Sequence, residues 1–332
     1  MAQQPTTRRT FLLQSALAGT GLLFSNNLLA LQPRPKSVFG GVQIGVITYS
    51  FRSMPGSVDD IIKYCTQCGI SAIELMGDAA EAYAGSPAGL MPPMAPPPPG
   101  QQRPVFTEEQ RAAMRERNQK AKAWRETVPM DKFVELKKKF DAAGISIYAY
   151  KPNALGENNS DAEIEYAMKA AKALGATSVT VELPGNAAQS KRLGDFGSKH
   201  QVYVGYHAHT QATDTLWNEA LAQSPYNSLN LDCGHYIAAG GNNTTASLLA
   251  LIEAKHNRIT SMHLKDRKTK DNGGANVEWG KGDTPIKDIL MLLKKKKYKI
   301  PVSIELEYEI PEGSDAVKEV SKCVAYAKDI LK

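Results

Sequence analysis

Apolar and polar positions along this chain alternate between two periods. Short runs with period-two alternation, QIGVITYS, SAIELMG, SIYAYKP, TSVTVEL, VYVGYHAH, SLNLDCG, ITSMHLKD and VSIELEY, read as strands. Between them lie segments of helical period such as SVDDIIKYCTQCG, MDKFVELKKKFDAAG and DAEIEYAMKAAKALG. Each closes at a glycine just ahead of the next strand, where a helix C-cap falls. Repeated βα units without a break in composition predict an α/β chain: one closed parallel (β/α)8 TIM barrel over residues 42–332. Right-handed crossovers then put the C-terminal end of every strand on one rim, so side chains at strand ends converge.

One interval breaks the rhythm. After the second strand the chain inserts residues 78–130, with the proline run MPPMAPPPPG and then FTEEQRAAMRERNQKAKAW. Prolines of this kind cannot enter a sheet, and the charged helix carries no strong apolar stripe, so the insertion is expected to stand above the rim. Two readings stay open: a lid with Arg117, Trp124 or Arg125 reaching inward, Trp124 as a substrate contact, or a plain surface insert.

The first residues carry TTRRTFLLQSALAGTGLLFSNNLLAL. This resembles a twin-arginine export signal and predicts a signal segment over residues 1–30, a Pro-rich linker over 31–41 and a periplasmic protein. Its apolar run is short for a bilayer anchor, and no other segment is apolar enough to span, so no stable membrane insertion is expected after signal removal. Arg8 and Arg9 inflate the formal charge of +6, and what remains implies neither nucleic acid nor a membrane surface as partner. Of the four cysteines, Cys65 and Cys68 form a CxxC inside a helical pattern with no second CxxC. They read as helix-face thiols, not as a zinc or redox motif. The Lys294 to Lys297 run reads as the solvated end of the seventh helix.

The chemistry gathers at strand ends. His207 and His209 end VYVGYHAH, Asp232 and His235 follow SLNL, His263 sits in ITSMHLKD, and Glu305 and Glu307 lie in PVSIELEYE. Four of the six histidines in the chain sit at such ends, which points to a metal site. A carboxylate such as Asp232 at the end of a buried run is costly to desolvate unless a cation or hydrogen bonds meet it. Glu305 and Glu307 share a strand face. The favoured arrangement has Glu305 as ligand while its neighbour pairs with Lys265 or Arg267. Glu182 is a third carboxylate on the rim, with Lys151 and Lys265 as the obvious cations.

Three strand-end motifs, Asp232-Cys233-Gly234-His235, His263-Leu264-Lys265-Asp266 and Ser303-Ile304-Glu305, occur in order with Trp279-Gly280-Lys281-Gly282-Asp283. Together they resemble the sugar phosphate isomerase/epimerase superfamily, the xylose isomerase-like barrels related to inosose dehydratase, ketose 3-epimerase and endonuclease IV. The resemblance covers essentially residues 42–331. It implies one divalent metal, often manganese, held by a Glu, an Asp, a His and a second Glu from the last four strands. Asp232, His263 and Glu305 match that set, whereas His207 stands where the family has its first Glu. Either His207 or Glu182 then completes the shell, and Zn2+, Co2+ or Mg2+ are alternatives to Mn2+.

The activity implied is isomerisation or epimerisation of a non-phosphorylated sugar or keto-sugar through an enediolate. Glu305, Glu182 and His209 are the proton-transfer candidates and Lys151 the electrophile, with His235, Lys265, Arg267 and Glu307 contacting substrate. Elimination or dehydration of a 3-keto-glycoside or keto-inositol is the alternative, and a non-catalytic sugar-binding barrel the alternative from another class. An endonuclease reading would require more metal ligands and a DNA-binding surface. A homo-oligomer stays open.

Overall fold

The computed structural model describes residues 34–90, 92–93 and 107–332. The expected signal segment 1–30 and most of the proline run lie outside the described residues. Eight parallel strands close a barrel: β1 (Val42–Ile47), β2 (Ala72–Met76), β3 (Ser146–Lys151), β4 (Ser178–Glu182), β5 (Tyr203–His207), β6 (Asn227–Asp232), β7 (Ile259–Leu264) and β8 (Val302–Ile304). Each pairs with its neighbours in chain order, and β8 pairs back to β1. The (β/α)8 barrel expected from the alternation is therefore the fold. The linker expected through residue 41 ends sooner. Val38–Phe39 forms a two-residue antiparallel strand on β1, turned by Gly40 and Gly41, both at positive φ.

Outward side chains of the strands, among them Ile73, Leu75, Val179, Leu231 and Ile304, are fully buried beneath the helices. Each contributes about 1.5–3 kcal/mol by leaving water. The helices start where capping residues allow. Helix α1 (Val58–Cys68) opens on a Ser57/Asp60 capping box and stops at Gly69 in the left-handed region. Cys65 and Cys68 are free and buried in α1, and burial pushes the Cys68 thiol up to about 11. No described helix is long and apolar enough to cross a membrane.

Inside, the barrel is polar where the site will stand, and one irregularity decides its orientation. Between β2 and β3 the register shifts: Ile73 pairs with Ile147 but Glu74 with Ala149, leaving Tyr148 as an extra residue. Glu74 faces inward, where it meets Thr180 and Asn230. Its partner Ala149 therefore also faces inward, and so does Lys151 two residues on. Regular alternation from Ile147 through Tyr148, without the bulge, would point Lys151 toward the helices.

The described part of the insertion is held in the helical layer. Its helix α2 (Glu108–Arg125) lies along the helical layer beside Asp161–Ala173. Arg125 at its end is buried, donating to both oxygens of Glu81 at 2.8 and 2.9 Å and to Glu163 at 3.4 Å. Arg117 donates to the Gly89 carbonyl. Trp124, expected to touch substrate, packs instead against Phe133 and Tyr166 at centroid distances of 6.5 and 5.8 Å. Apolar area and two buried carboxylates on the outer layer hold these side chains there. Arg125→Met is expected to destabilise the fold by about 3 kcal/mol, the lower end for a broken buried ion pair, because Tyr166 and Asn159 still donate to Glu81 and Glu163. Urea denaturation measures it, and a change under 1 kcal/mol would show the cluster to be dispensable.

Candidate metal centre and active site

Strand register builds the centre. Glu182 pairs with His207 across β4 and β5, Asp232 with His263 across β6 and β7, and His263 with Ser303 across β7 and β8. A second register shift, between Leu229 and Asn230, brings Asp232 and His263 to the same level. The Asp232 Oδ2 atom is buried and accepts no hydrogen bond. Around it stand His207 Nε2 at 3.9 Å, His235 Nε2 at 3.9 Å and His263 Nδ1 at 4.0 Å. Lys265 Nζ lies 2.9 Å away as an ion pair, off the direction of a hydrogen bond. Its other contacts are Glu305 Oε2 at 2.8 Å and Glu307 Oε2 at 2.7 Å. Glu305 Oε2 is also 3.2 Å from His263 Nδ1.

A buried carboxylate oxygen that accepts no hydrogen bond, ion-paired with Lys265 and facing imidazole nitrogens, belongs to a ligand set that suits a divalent cation. Ligand atoms of His207, Asp232 and His263 lie within 4.8 Å of one another, as do those of His207, His209 and His235. Hydrogen bonding separates the two groups. A guanidinium only donates, so the contact of Arg267 with His235 Nδ1 leaves the hydrogen of His235 on Nε2. That nitrogen faces the centre as a donor, not as a ligand. His207 Nε2, Asp232 and His263 Nδ1, with Glu305 beside them, are the residues that fit a metal.

The electrostatics follow from burial and company. Burial, with His263 and Lys151 nearby, pulls His207 down to about 4. Burial and Lys265 take His235 down to about 3. Burial also works against a charged His263, but the Glu74 and Glu305 carboxylates outweigh it and raise its pKa to about 10. Burial likewise opposes charge on Glu74 and Glu305. For Glu74, His263 and Lys151 prevail and hold it at about 2. For Glu305, Lys265 and His263 prevail and hold it well below the usual range.

Other expected site residues take distinct places. Glu182, half-exposed, pairs with Lys151 at 3.1 Å and faces His209 at 3.8 Å. It belongs to this wall group and not to the His207, Asp232 and His263 cluster. Lys265 joins Glu305 and Glu307 together, so both carboxylates share one cation. Arg267 pairs with neither; it is spent on His235 and the Gly274 carbonyl. Asp266 turns away from the centre to accept from the backbone of Gly280, Gly282 and Thr284. A Cβ on Gly282 would fall 1.9 Å from its oxygen, which explains the Trp279 to Asp283 motif as a loop anchor. Sequence reading passed over Glu74 and Asn230. Both are inward polar residues in otherwise apolar strands, and Glu74 is fully buried amid SAIELMG, a facing that only barrel closure fixes.

An eight-stranded barrel with imidazoles and carboxylates gathered on its C-terminal rim defines an α/β barrel with a candidate metal centre. The family described as Xylose isomerase-like TIM barrel matches residues 62–326. The chain belongs to that family. No curated protein matches it. Among solved structures it is similar in fold to the probable 3-DHS dehydratase AsbF from Bacillus anthracis, at 14% identity and TM-score 0.57, covering 86% of this chain and 98% of that one. It is similar also to D-psicose 3-epimerase with D-tagatose from Clostridium cellulolyticum H10, at 12% identity and TM-score 0.56, covering 88% and 100%. A third is the IOLI protein with a bound zinc atom, at 16% identity and TM-score 0.55, covering 88% and 99%.

Proposed function

We propose that this protein is a divalent-metal-dependent isomerase or epimerase of a non-phosphorylated sugar or keto-sugar, with Mn2+ as the metal. The supporting observation is two carboxylates on opposite walls. Glu182 ends β4 and Glu305 follows β8, four strands apart in a ring of eight, with His207, Asp232 and His263 on the strands between. When bound by those three residues and Glu305, the ion supplies Lewis-acid polarisation of a carbonyl and its neighbouring hydroxyl. The chain supplies the rest. Lys265 and His263 keep Glu305 anionic, and Lys151 does so for Glu182, whose carboxyl is held below its ordinary range against burial. Glu305 takes a proton from the substrate carbon, and Glu182, half-exposed and so able to take up a proton from solvent, returns one from the opposite face. His235 donates from Nε2 to a substrate oxygen, and the Lys151 ammonium faces another. Lys151→Met is expected to lower kcat about 10²-fold with metal affinity unchanged, as read by steady-state kinetics beside a chelator titration.

One observation favours a second reading. Lys151, Glu182 and His209 place an acid next to a base on a single wall, which suits elimination with protonation of a leaving group. The test is a product screen of free ketoses and 3-keto-glycosides with Mn2+ in D2O. Solvent deuterium in an isomerised or epimerised product supports the main reading. An α,β-unsaturated ketone without any exchanged epimer establishes the lyase, and sugar binding without turnover establishes a binding barrel. We also propose export to the periplasm on the arginine-pair segment, which cell fractionation checks.

A further inference from the structure

A carboxylate outside the expected ligand set touches one imidazole of the centre directly and reaches a second through Asn230. Glu74 is fully buried in the barrel interior on β2. Its Oε1 accepts from Thr180 Oγ1 at 2.7 Å, and its Oε2 lies 2.8 Å from His263 Nε2, 3.1 Å from Asn230 Nδ2 and 3.4 Å from Ser303 Oγ. We infer that Glu74 is a positioning residue that holds a hydrogen on Nε2 of His263 and, through Asn230, on Nδ1 of His207, so that His263 Nδ1 and His207 Nε2 are the nitrogens presented to a metal.

A carboxylate ringed by four donors accepts. His263 therefore carries hydrogen on Nε2, and its Nδ1, 4.0 Å from Asp232 Oδ2, is the nitrogen left to bind. The same oxygen demands the amide NH2 of Asn230, which also donates to Ser261 Oγ at 2.7 Å. The carbonyl of Asn230 is then forced to face His207 Nδ1, at 3.0 Å. A carbonyl only accepts, so His207 carries its hydrogen on Nδ1, and Nε2 turns its lone pair toward Asp232. Two ligands on β5 and β7 thus take their tautomers from one side chain on β2, directly for His263 and through Asn230 for His207. Carboxylates and amides behind metal-binding imidazoles set ring orientation and basicity, and their loss costs about 10–100-fold in metal affinity.

The inference rests on the metal reading of the centre, and its test separates the two. Zn2+ affinity is measured by competition with a chromophoric chelator, and imidazole tautomers of the metal-free protein by long-range ¹H–¹⁵N correlation spectra. Glu74→Met is expected to weaken Zn2+ binding about 10–100-fold and to abolish the single Nδ1–H form of His207. Glu74→Gln can place its amide oxygen where Oε2 stands, so it is expected to retain that tautomer and most of the affinity. If Glu74→Met does not fold, Asn230→Leu carries the test, since it should release the His207 tautomer while His263 keeps its Nε2–H. Unchanged tautomers and affinity in Glu74→Met or in Asn230→Leu would overturn the role of Glu74. Absence of Zn2+ binding by the unmodified protein would overturn the metal reading, and the spectra would still decide the tautomer relay.

Discussion

Asp232→Asn is expected to weaken divalent-metal binding by about 10³-fold and to lower kcat/KM at limiting metal at least as much. Asp232 Oδ2 is the buried oxygen with no hydrogen bond, and three imidazole nitrogens stand around it. Exchanging this anionic ligand for a neutral amide removes on the order of 4 kcal/mol of binding, which at about 1.4 kcal/mol per decade is three decades. Folding is not expected to follow. The other oxygen, Oδ1, accepts from the His235 backbone N–H at 2.6 Å and caps helix Cys233–Ala239, and Asn caps as well as Asp. Calorimetric titration with Mn2+ or Zn2+, beside a melting curve in EDTA, reads both effects. Metal affinity within tenfold of the unmodified protein would mean that the ion binds elsewhere.

The second large effect is on pH. In the metal-free protein His263 is held protonated, with a pKa of about 10, because Glu74 and Glu305 outweigh its burial. An ion at Nδ1 must displace that proton. The association constant is therefore expected to rise about tenfold per pH unit between roughly pH 6.5 and 9, with one proton released per ion. Titrations in buffers of different ionisation enthalpy count the proton, and a flat profile would remove His263 from the ligand set. For the metal-free fold the sign is opposite. The folded pKa lies above the ordinary histidine value of 6.5, so the contribution of His263 is complete below about pH 6.5 and is lost as pH rises through about 10. His207 and His235 act on the acid side. Burial depresses them to about 4 and 3, so the unfolded chain takes up their protons first and stability falls as pH drops below about 6.5.

What could be read in the sequence followed from period and position. Alternation located all eight strands, and parallel closure then required His207, Asp232, His263 and Glu305 to meet, since each ends a strand. What could not be read depended on partners distant in the chain. Arg125 and Trp124 look like inward candidates in a charged helix until Glu81, Glu163, Phe133 and Tyr166 are found to receive them on the outer layer. Lys265 offers no sequence sign that it would bind three carboxylates at once. Glu74 was invisible for another reason: a single acid in an apolar strand resembles an exposed alternation position, and only barrel closure turns it inward.

The extra residue at Tyr148 also sets what length changes this barrel tolerates. The connection after β2 takes up the whole of residues 78–130 while leaving the register of the strands around it intact. Deleting Tyr148 would restore regular alternation and leave Lys151 facing inward, because Ala149 would still pair with Glu74, whereas deleting Tyr150 would turn Lys151 onto the apolar side and leave Glu182 without its counter-charge. This barrel thus accommodates dozens of residues between β2 and β3, while loss of one residue between Ala149 and Lys151 is expected to eliminate the Lys151 and Glu182 pair.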